Sequence, residues 1–485
     1  MSVTSKSPKT NGNLENVELK SKDALTEKDV PSYNSGANQD AHTNGVANAG
    51  GSQDNLVQKL QVTQQTSSFA TLMHLLKGNL NIGVLAMPNA VSNAGLALGT
   101  VGIPILGAIC IHCMHLLVIS SKTIGEKMGV ASLDYSTTAE QAFRSGPKKV
   151  QFLAPFARHS VDIMLILTQF GFCCVYFLFV ANSLYEVSEN LFGSSPFSLH
   201  EFMAIIFPFL ILFNFIRSLK RLSITTSIAN FLLVVSFVMV FYFLVQGRHS
   251  SNLYPYTAPV KNWPLFFGTV TFAFEGIGVV LPLQNAMKTP EDFGGFTGVL
   301  TTGMIIVICL DIAVGFYGYL KYGNNVKPSI TFSLPKHPLS ETIRLTFALA
   351  IFLSHPLQFY VALSIIWSYL KEKFQLEKRF SPKIQTVFEL LLRTFLVFVT
   401  CAITVAVPNL DLLISLVGAL ASSSLALIFP PIIELVMIWN TPISRRKLIL
   451  IIIKDAAIII FGIFGCFIGT YSTIKEIVQK MKKPS

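Results

Sequence analysis

From residue 69 onward the chain is a succession of apolar runs separated by short polar connectors. This is the pattern of a protein that crosses a bilayer repeatedly, since one helical crossing takes about 20 apolar residues. The first run, 69–121, carries a single formal charge, Lys77, and is long enough for two crossings, with a turn expected at Ser92, Asn93, Ala94 and Gly95. Further crossings are expected over 161–181, 202–215, 224–245, a broken run after the Tyr/Pro-rich loop 252–264, then 298–319, 345–369, 386–407, 410–438 and 449–470. These make eleven, and the fold class expected is all-α and polytopic. Residues 1–67, rich in Ser, Asn, Gly, Thr and Lys with Tyr33 the only aromatic, cannot bury a core and read as a disordered cytoplasmic tail; 68–475 form the membrane domain and 476–485 a short basic tail.

Two of the runs are interrupted. Gly78, Asn79, Asn81 and Gly83 crowd the middle of the first, and Gly276 and Gly278 follow Glu275 in the sixth. Glycine and asparagine tolerate dihedrals that other residues resist, whereas a membrane helix must satisfy its own backbone. Ile82-Gly83-Val84 returns as Ile277-Gly278-Val279, and a proline follows each, Pro88 and Pro282. Glycine-interrupted segments in corresponding positions of two halves point to the binding site of a secondary transporter. The competing explanation is that the glycines serve close helix packing.

Composition narrows the class. Of the 485 residues 51% are hydrophobic, 39 are Phe and only 13% are charged, which is too apolar for a soluble protein. The net charge of +11 does not indicate nucleic acid, because the basic residues sit in connectors. Lys122, Lys127, Arg144, Lys148, Lys149 and Arg158 follow the second crossing, and Lys371, Lys373, Lys378, Arg379 and Lys383 follow the eighth, whereas 182–200 holds neither Lys nor Arg. The positive-inside rule then puts the N-terminus in the cytoplasm. Lys475, Lys480, Lys482 and Lys483 near the other end argue against the outer placement that eleven crossings require. All seven cysteines fall in apolar stretches, so neither a disulfide framework nor a metal site is expected. No signal peptide precedes the first run, which is expected to direct insertion itself.

Helix N-termini carry partial positive charge and suit an anionic group such as a substrate carboxylate. The amides over Gly78, Asn79, Leu80, Asn81, Ile82 and Gly83 are candidates for that role, with carbonyls over Phe274, Glu275, Gly276, Ile277 and Gly278 for an ammonium group, and Tyr176 as a wall of the pocket. Ionisable residues inside crossings are functional candidates by default. His74 stands one turn before Gly78 and is a candidate for proton coupling, against the alternative of a packed, hydrogen-bonded histidine. Glu275 reads as proton carrier, ammonium partner or structural acceptor. Lys77 is either a fixed cation or a snorkelling side chain. Asp311 is either a proton relay or a buried neutral acid bonded to another helix. Glu389 with Arg393 and Lys454 with Asp455 read as structural pairs, and His112 and His115 lack a metal-ligand partner set. There is no Walker loop, nucleophile elbow or zinc signature, so the chain is expected to be no enzyme and to need no cofactor.

Four stretches, in order, resemble the animal proton-coupled amino acid transporters of the amino acid/auxin permease superfamily: Thr71-Leu72-Met73-His74-Leu75-Leu76-Lys77-Gly78-Asn79, Thr168-Gln169-Phe170-Gly171-Phe172-Cys173-Cys174-Val175-Tyr176, Phe274-Glu275-Gly276-Ile277-Gly278-Val279-Val280-Leu281-Pro282 and Leu357-Gln358-Phe359-Tyr360-Val361. The resemblance implies eleven crossings, a five-plus-five inverted repeat of the leucine-transporter type with helices 1 and 6 broken, and symport of small neutral amino acids with protons. It also implies that His74 is the proton-linked histidine. Gln284, Asp311 and Asn81 depart from the family pattern. The expected partners are small neutral amino acids, protons and the lipid bilayer of a plasma, lysosomal or endosomal membrane, with no nucleic acid. The alternatives to symport are an amino acid sensor signalling through the tail and a channel-like facilitator.

Overall fold

The computed structural model describes residues 66–246, 254–439 and 444–482; the tail expected over 1–67 lies outside them apart from Thr66 and Ser67. Among the described residues, nine helical stretches are long and apolar enough to cross a membrane. With the shorter helix α6 (Leu199–Asn214) and the interrupted pair α1 (Ser68–Asn79) and α2 (Ile82–Ala94), the architecture is consistent with the eleven crossings expected. Between the interrupted pair and α6 come α3 (Leu96–Met128), the connector helix α4 (Tyr135–Ser145) and α5 (Ala154–Phe192). After α6 run α7 (Leu219–Val245), the second interrupted pair α8 (Trp263–Ala273) and α9 (Ile277–Asn285), α10 (Val299–Tyr322), α11 (Pro338–Phe374) and α12 (Pro382–Ala406). The tenth crossing is composite, with α13 (Leu410–Val417), two π-helical stretches (Gly418–Ser422 and Ser424–Ile428) and α14 (Phe429–Ile438); α15 (Arg445–Lys482) closes the chain.

The interruption in the first crossing is local chemistry. Leu80 still donates its N–H to the Leu76 carbonyl at 2.8 Å, but Asn81 is extended, and its side-chain oxygen accepts the Gly83 N–H at 2.7 Å. Asn81 is therefore the N-cap that starts α2. In the sixth crossing Phe274, Glu275 and Gly276 link α8 to α9, with Gly276 at φ −119°. The glycines at both places have backbone angles open to any residue, since the positive-φ glycines lie elsewhere. Their purpose is close approach: a Cβ at Gly83 would lie 2.6 Å from the Ala273 Cα, and one at Gly276 would lie 2.5 Å from Asn79 Oδ1. The packing explanation holds for these glycines, and the breaks are made by Leu80–Asn81 and by 274–276.

The two interrupted segments are tied at both ends. At one end Thr66 donates to the Ala286 carbonyl and accepts from Lys288, each at 2.9 Å. At the other, Ala258 donates to the Ala94 carbonyl at 2.8 Å, while Leu96 and Ala97 donate to Pro255 and Tyr256. Gly95 makes this crossing possible, with φ +92° and its α-carbon so near Thr257 and Ala258 that a Cβ would lie 2.5 Å from both backbones. The expected turn at Ser92–Gly95 thus falls where the sequence placed it.

Two features depart from the expected layout. The basic connector after α3 contains α4, whose Asp134 N-cap accepts the Thr137 N–H at 2.6 Å. The final helix continues to Lys482, so most of the stretch assigned to a tail over 476–485 is helical. Thr473 meets Ser415 at 3.2 Å and Lys480 reaches Asp411 at 3.6 Å, so Lys480 lies beside the start of α13 with an acidic partner. The buried side chains form two large clusters, one around α3, α4, α9, α10 and α14 and one around α5, α6, α7, α11 and α13. The breaks sit at the seam: Leu75, Ala273 and Phe274 belong to the first cluster, Ile82, Val84 and Phe272 to the second, and Leu80 packs against both.

Candidate functional site

The two breaks face each other. Gly276 lies flat against the side chain of Asn79, and on either side Gly83 abuts Ala273 and Gly78 approaches Val279. Asn79, Asn81, Ile82, Gly83, Phe274, Glu275, Gly276 and Ile277 are buried, with Leu80 and Gly278 partly so. Most of the polar capacity in the first break is used internally, since Asn79 Nδ2 donates to the Leu75 carbonyl at 2.9 Å and the Asn81 oxygen caps Gly83. Two acceptors are left over, because Asn79 Oδ1 and Glu275 Oε2 are buried and neither has a hydrogen-bond partner.

Around Glu275 stand groups from three other elements. Cys110 of α3 and Tyr135 of α4 face it, and Ser422 approaches from the tenth crossing. Tyr135 is held by its own bond to the Leu425 carbonyl at 2.7 Å. Gly107, one turn before Cys110 on α3, lets Phe274 and Ile308 come close. The constellation is a buried, acceptor-rich junction where the two interrupted segments meet. Such a junction is completed by something that brings donors, an ammonium group or a proton.

A family model described as transmembrane amino acid transporter protein matches residues 64–475. The chain belongs to that family. It is 36% identical over 423 residues to the Drosophila melanogaster protein named proton-coupled amino acid transporter-like protein pathetic, covering 85% of this chain and 86% of that one. It is 25% identical over 425 residues to the probable amino acid transporter skat-1 of Caenorhabditis elegans, covering 85% and 90%. Among solved structures the crystal structure of MhsT in complex with L-phenylalanine aligns with a TM-score of 0.45 at 14% identity, covering 84% of this chain and 99% of that one. The family is one of transporters and not of enzymes, and the chain is a multi-pass membrane protein.

In this transporter the remaining sequence candidates are spread out. His74 does not look toward the break. The buried face of α1 is Thr71, Leu75 and Asn79, spaced at four-residue steps, and a residue one position before Leu75 is turned about 100° away from it; His74 is accordingly exposed. Lys77 is half-buried. Tyr176 is buried on α5 with its hydroxyl 3.5 Å from Gln358 Nε2, in a narrow gap shared with Phe352 and His355. Its neighbour Phe172 reaches the sixth crossing through Phe272, ring centroids 4.6 Å apart. His115 of α3 is 2.8 Å from the Thr301 hydroxyl, a structural tie to α10. An open cavity of about 510 Å³, lined by Ser68, Leu72, Asp292, Val299 and Thr302 among others, lies two turns from the first break and outside the junction.

Sequence reasoning missed Ser422, Tyr135 and Cys110. The available signal was the run Ser422-Ser423-Ser424 after Gly418 in an apolar crossing, where π-helical turns form, a geometry frequent at functional sites.

Proposed function

We propose that this transporter carries small neutral amino acids together with protons, by alternating access around the junction of the two breaks. The observation that carries the reading is the pair of buried acceptors, Asn79 Oδ1 and Glu275 Oε2, left without donors where the two interrupted segments meet. The α2 N-terminus beside them supplies partial positive charge for a carboxylate, and Glu275 with the carbonyls at the end of α8 supplies the opposite pole for an ammonium group. The close approach of Gly83 to Ala273 and of Gly276 to Asn79 favours a small guest over a large one. Because the break residues are buried, loading and release require neighbouring helices to part, which is what alternating access means. The Drosophila relative's name, a proton-coupled amino acid transporter-like protein, supports the proton as the coupled ion. His74, exposed on α1, is a proton-coupling residue in this reading, and the site residues are those of the two breaks with Tyr176 behind them. A plasma, lysosomal or endosomal membrane is the setting.

The test is uptake of labelled glycine, alanine and proline into liposomes holding the full chain, with and without an inward proton gradient, for wild type and His74→Ala. Accumulation above equilibrium in wild type, lost in His74→Ala, is the expected result. Binding of the amino acids with no gradient-driven accumulation overturns symport and leaves a sensor. Accumulation unchanged in His74→Ala removes the histidine from the coupling step.

A further inference from the structure

We propose that Asp311 of α10 is a proton-carrying carboxyl of this transporter, directed at the break in the first crossing. The inference rests on the symport reading above.

Glycines on α10 settle which way Asp311 faces. Gly303 lies against Leu72 and Leu75 of α1, and Gly315 and Gly318 lie against Met87, Val91 and Pro88 of α2. Gly303, Val307, Asp311 and Gly315 follow one another at four-residue steps and so form one face of the helix. That face therefore runs past both halves of the first crossing, and Asp311, two turns beyond Gly303 and one turn before Gly315, comes level with the stretch between them, Leu80 to Gly83. Ile308, one turn away, packs beside Phe274 where both meet Gly107, so this level of α10 adjoins the break in the sixth crossing as well.

Asp311 has no exposed surface, and neither carboxylate oxygen has a hydrogen-bond partner. The bond to another helix that a structural aspartate would make is missing. An ionised carboxylate without a partner costs several kcal/mol in such a place, so the closed conformation holds the neutral acid. The titratable groups on the surrounding helices do not change this. On α1, His74 is exposed and Lys77 half-buried, and α2 has none. On α3, His115 is bonded to Thr301, His112 faces Lys454 and Glu434, Cys110 faces Glu275 and Cys113 faces Asp455, Lys454 and Glu434. On α7, Arg221 and Tyr242 are exposed. On α10 itself, Lys321 bonds the carbonyls of Phe243 and Gln246.

In the cycle that follows, the Asp311 carboxylate takes one proton from a hydronium ion when the junction is open on one side; an O–H bond of the hydronium breaks, leaving water, and one forms on the carboxyl. It crosses the closed state as the neutral acid and, when the junction opens on the other side, its O–H bond breaks and the proton passes to water, re-forming hydronium.

The experiment uses the full chain in liposomes with labelled glycine, alanine and proline and a pH dye inside. Two assays are run: exchange at equal pH, and accumulation driven by an inward proton gradient. Asp311→Asn keeps the shape of the neutral acid but cannot ionise. It is expected to retain at least half of wild-type exchange, to lose at least tenfold in driven accumulation, and to stop substrate-dependent acidification inside, with Asp311→Glu restoring part of it. Wild-type accumulation and acidification in Asp311→Asn overturn the proposal. Loss of exchange together with accumulation marks Asp311 as a packing or substrate-contact residue and also overturns it. If wild type itself exchanges but never accumulates under the gradient, the symport reading fails first and this assignment falls with it.

Discussion

Buried carboxyl groups divide this molecule into two regions. Away from the breaks each is met by a cation, Asp455 by Lys454 at 3.0 Å and the others by arginine. Glu389 takes Arg393 at 2.8 Å and Arg217 at 2.7 Å, Glu341 takes the fully buried Arg344, and Glu140 takes Arg144 at 2.6 Å and Arg158 at 3.0 Å. At mid-crossing, beside the breaks, Glu275 and Asp311 have no ion-pair partner among the described residues, and one oxygen of Glu275 and both of Asp311 lack a hydrogen bond. The arginines also hold backbone in place: Arg393 donates to the Asn214 carbonyl at 2.7 Å, pinning the end of α6, and Arg344 donates to Thr331 and Leu334. The matched carboxylates belong to the scaffold, and on the reading proposed above the unmatched ones are left for groups that come and go.

The largest effect is expected where that matching is broken. Glu389→Ala strands Arg393, 2% exposed, and removal of one partner of a buried pair costs about 3–5 kcal/mol. Thermal unfolding in detergent should show the loss, and an unchanged melt would place Glu389 outside the scaffold. Next comes Glu275→Gln, which leaves the fold standing and should weaken apparent substrate affinity about tenfold, about 1.4 kcal/mol; wild-type KM and rate in that variant would detach the sixth-crossing break from the site. The smallest effect is at Glu140, outside the crossings. Burial alone would raise its carboxyl, but the hydrogen bonds and charges of Arg144 and Arg158 outweigh it and hold the group below the ordinary carboxylate range. A depressed carboxyl stabilises the fold at neutral pH and loses that contribution as pH falls through its folded value. Glu140→Gln should therefore be less stable than wild type by about 1–2 kcal/mol at pH 7, with the gap closing below about pH 4. A gap that persists in acid would show that shape rather than charge is at work there.

The crossings were legible because apolar runs and basic connectors are properties of sequence alone, and the first break was legible because Asn81 carries its own cap to Gly83. Other features depend on partners distant in sequence. The glycines beside the breaks look like dihedral devices until Ala273 and Asn79 are seen against them. His74 and Gly78 are one turn apart, yet the face of α1 that meets the core is that of Thr71, Leu75 and Asn79, and only packing with α10 decides between neighbouring faces. The helix α4 is short and polar, and its Tyr135 reaches the junction only because the tenth crossing offers the Leu425 carbonyl.

The backbone ties at Thr66 with Ala286 and Lys288, and at Ala94 with Ala258, make the first and sixth crossings a closed frame whose middle holds both breaks. Such a frame resists shear, because sliding one rail along the other breaks bonds at both ends at once. On the alternating-access reading proposed above, the frame would tilt as one unit, and the moving seam would be the one between the frame and its surroundings, where α10 would bring Asp311 into and out of reach of water.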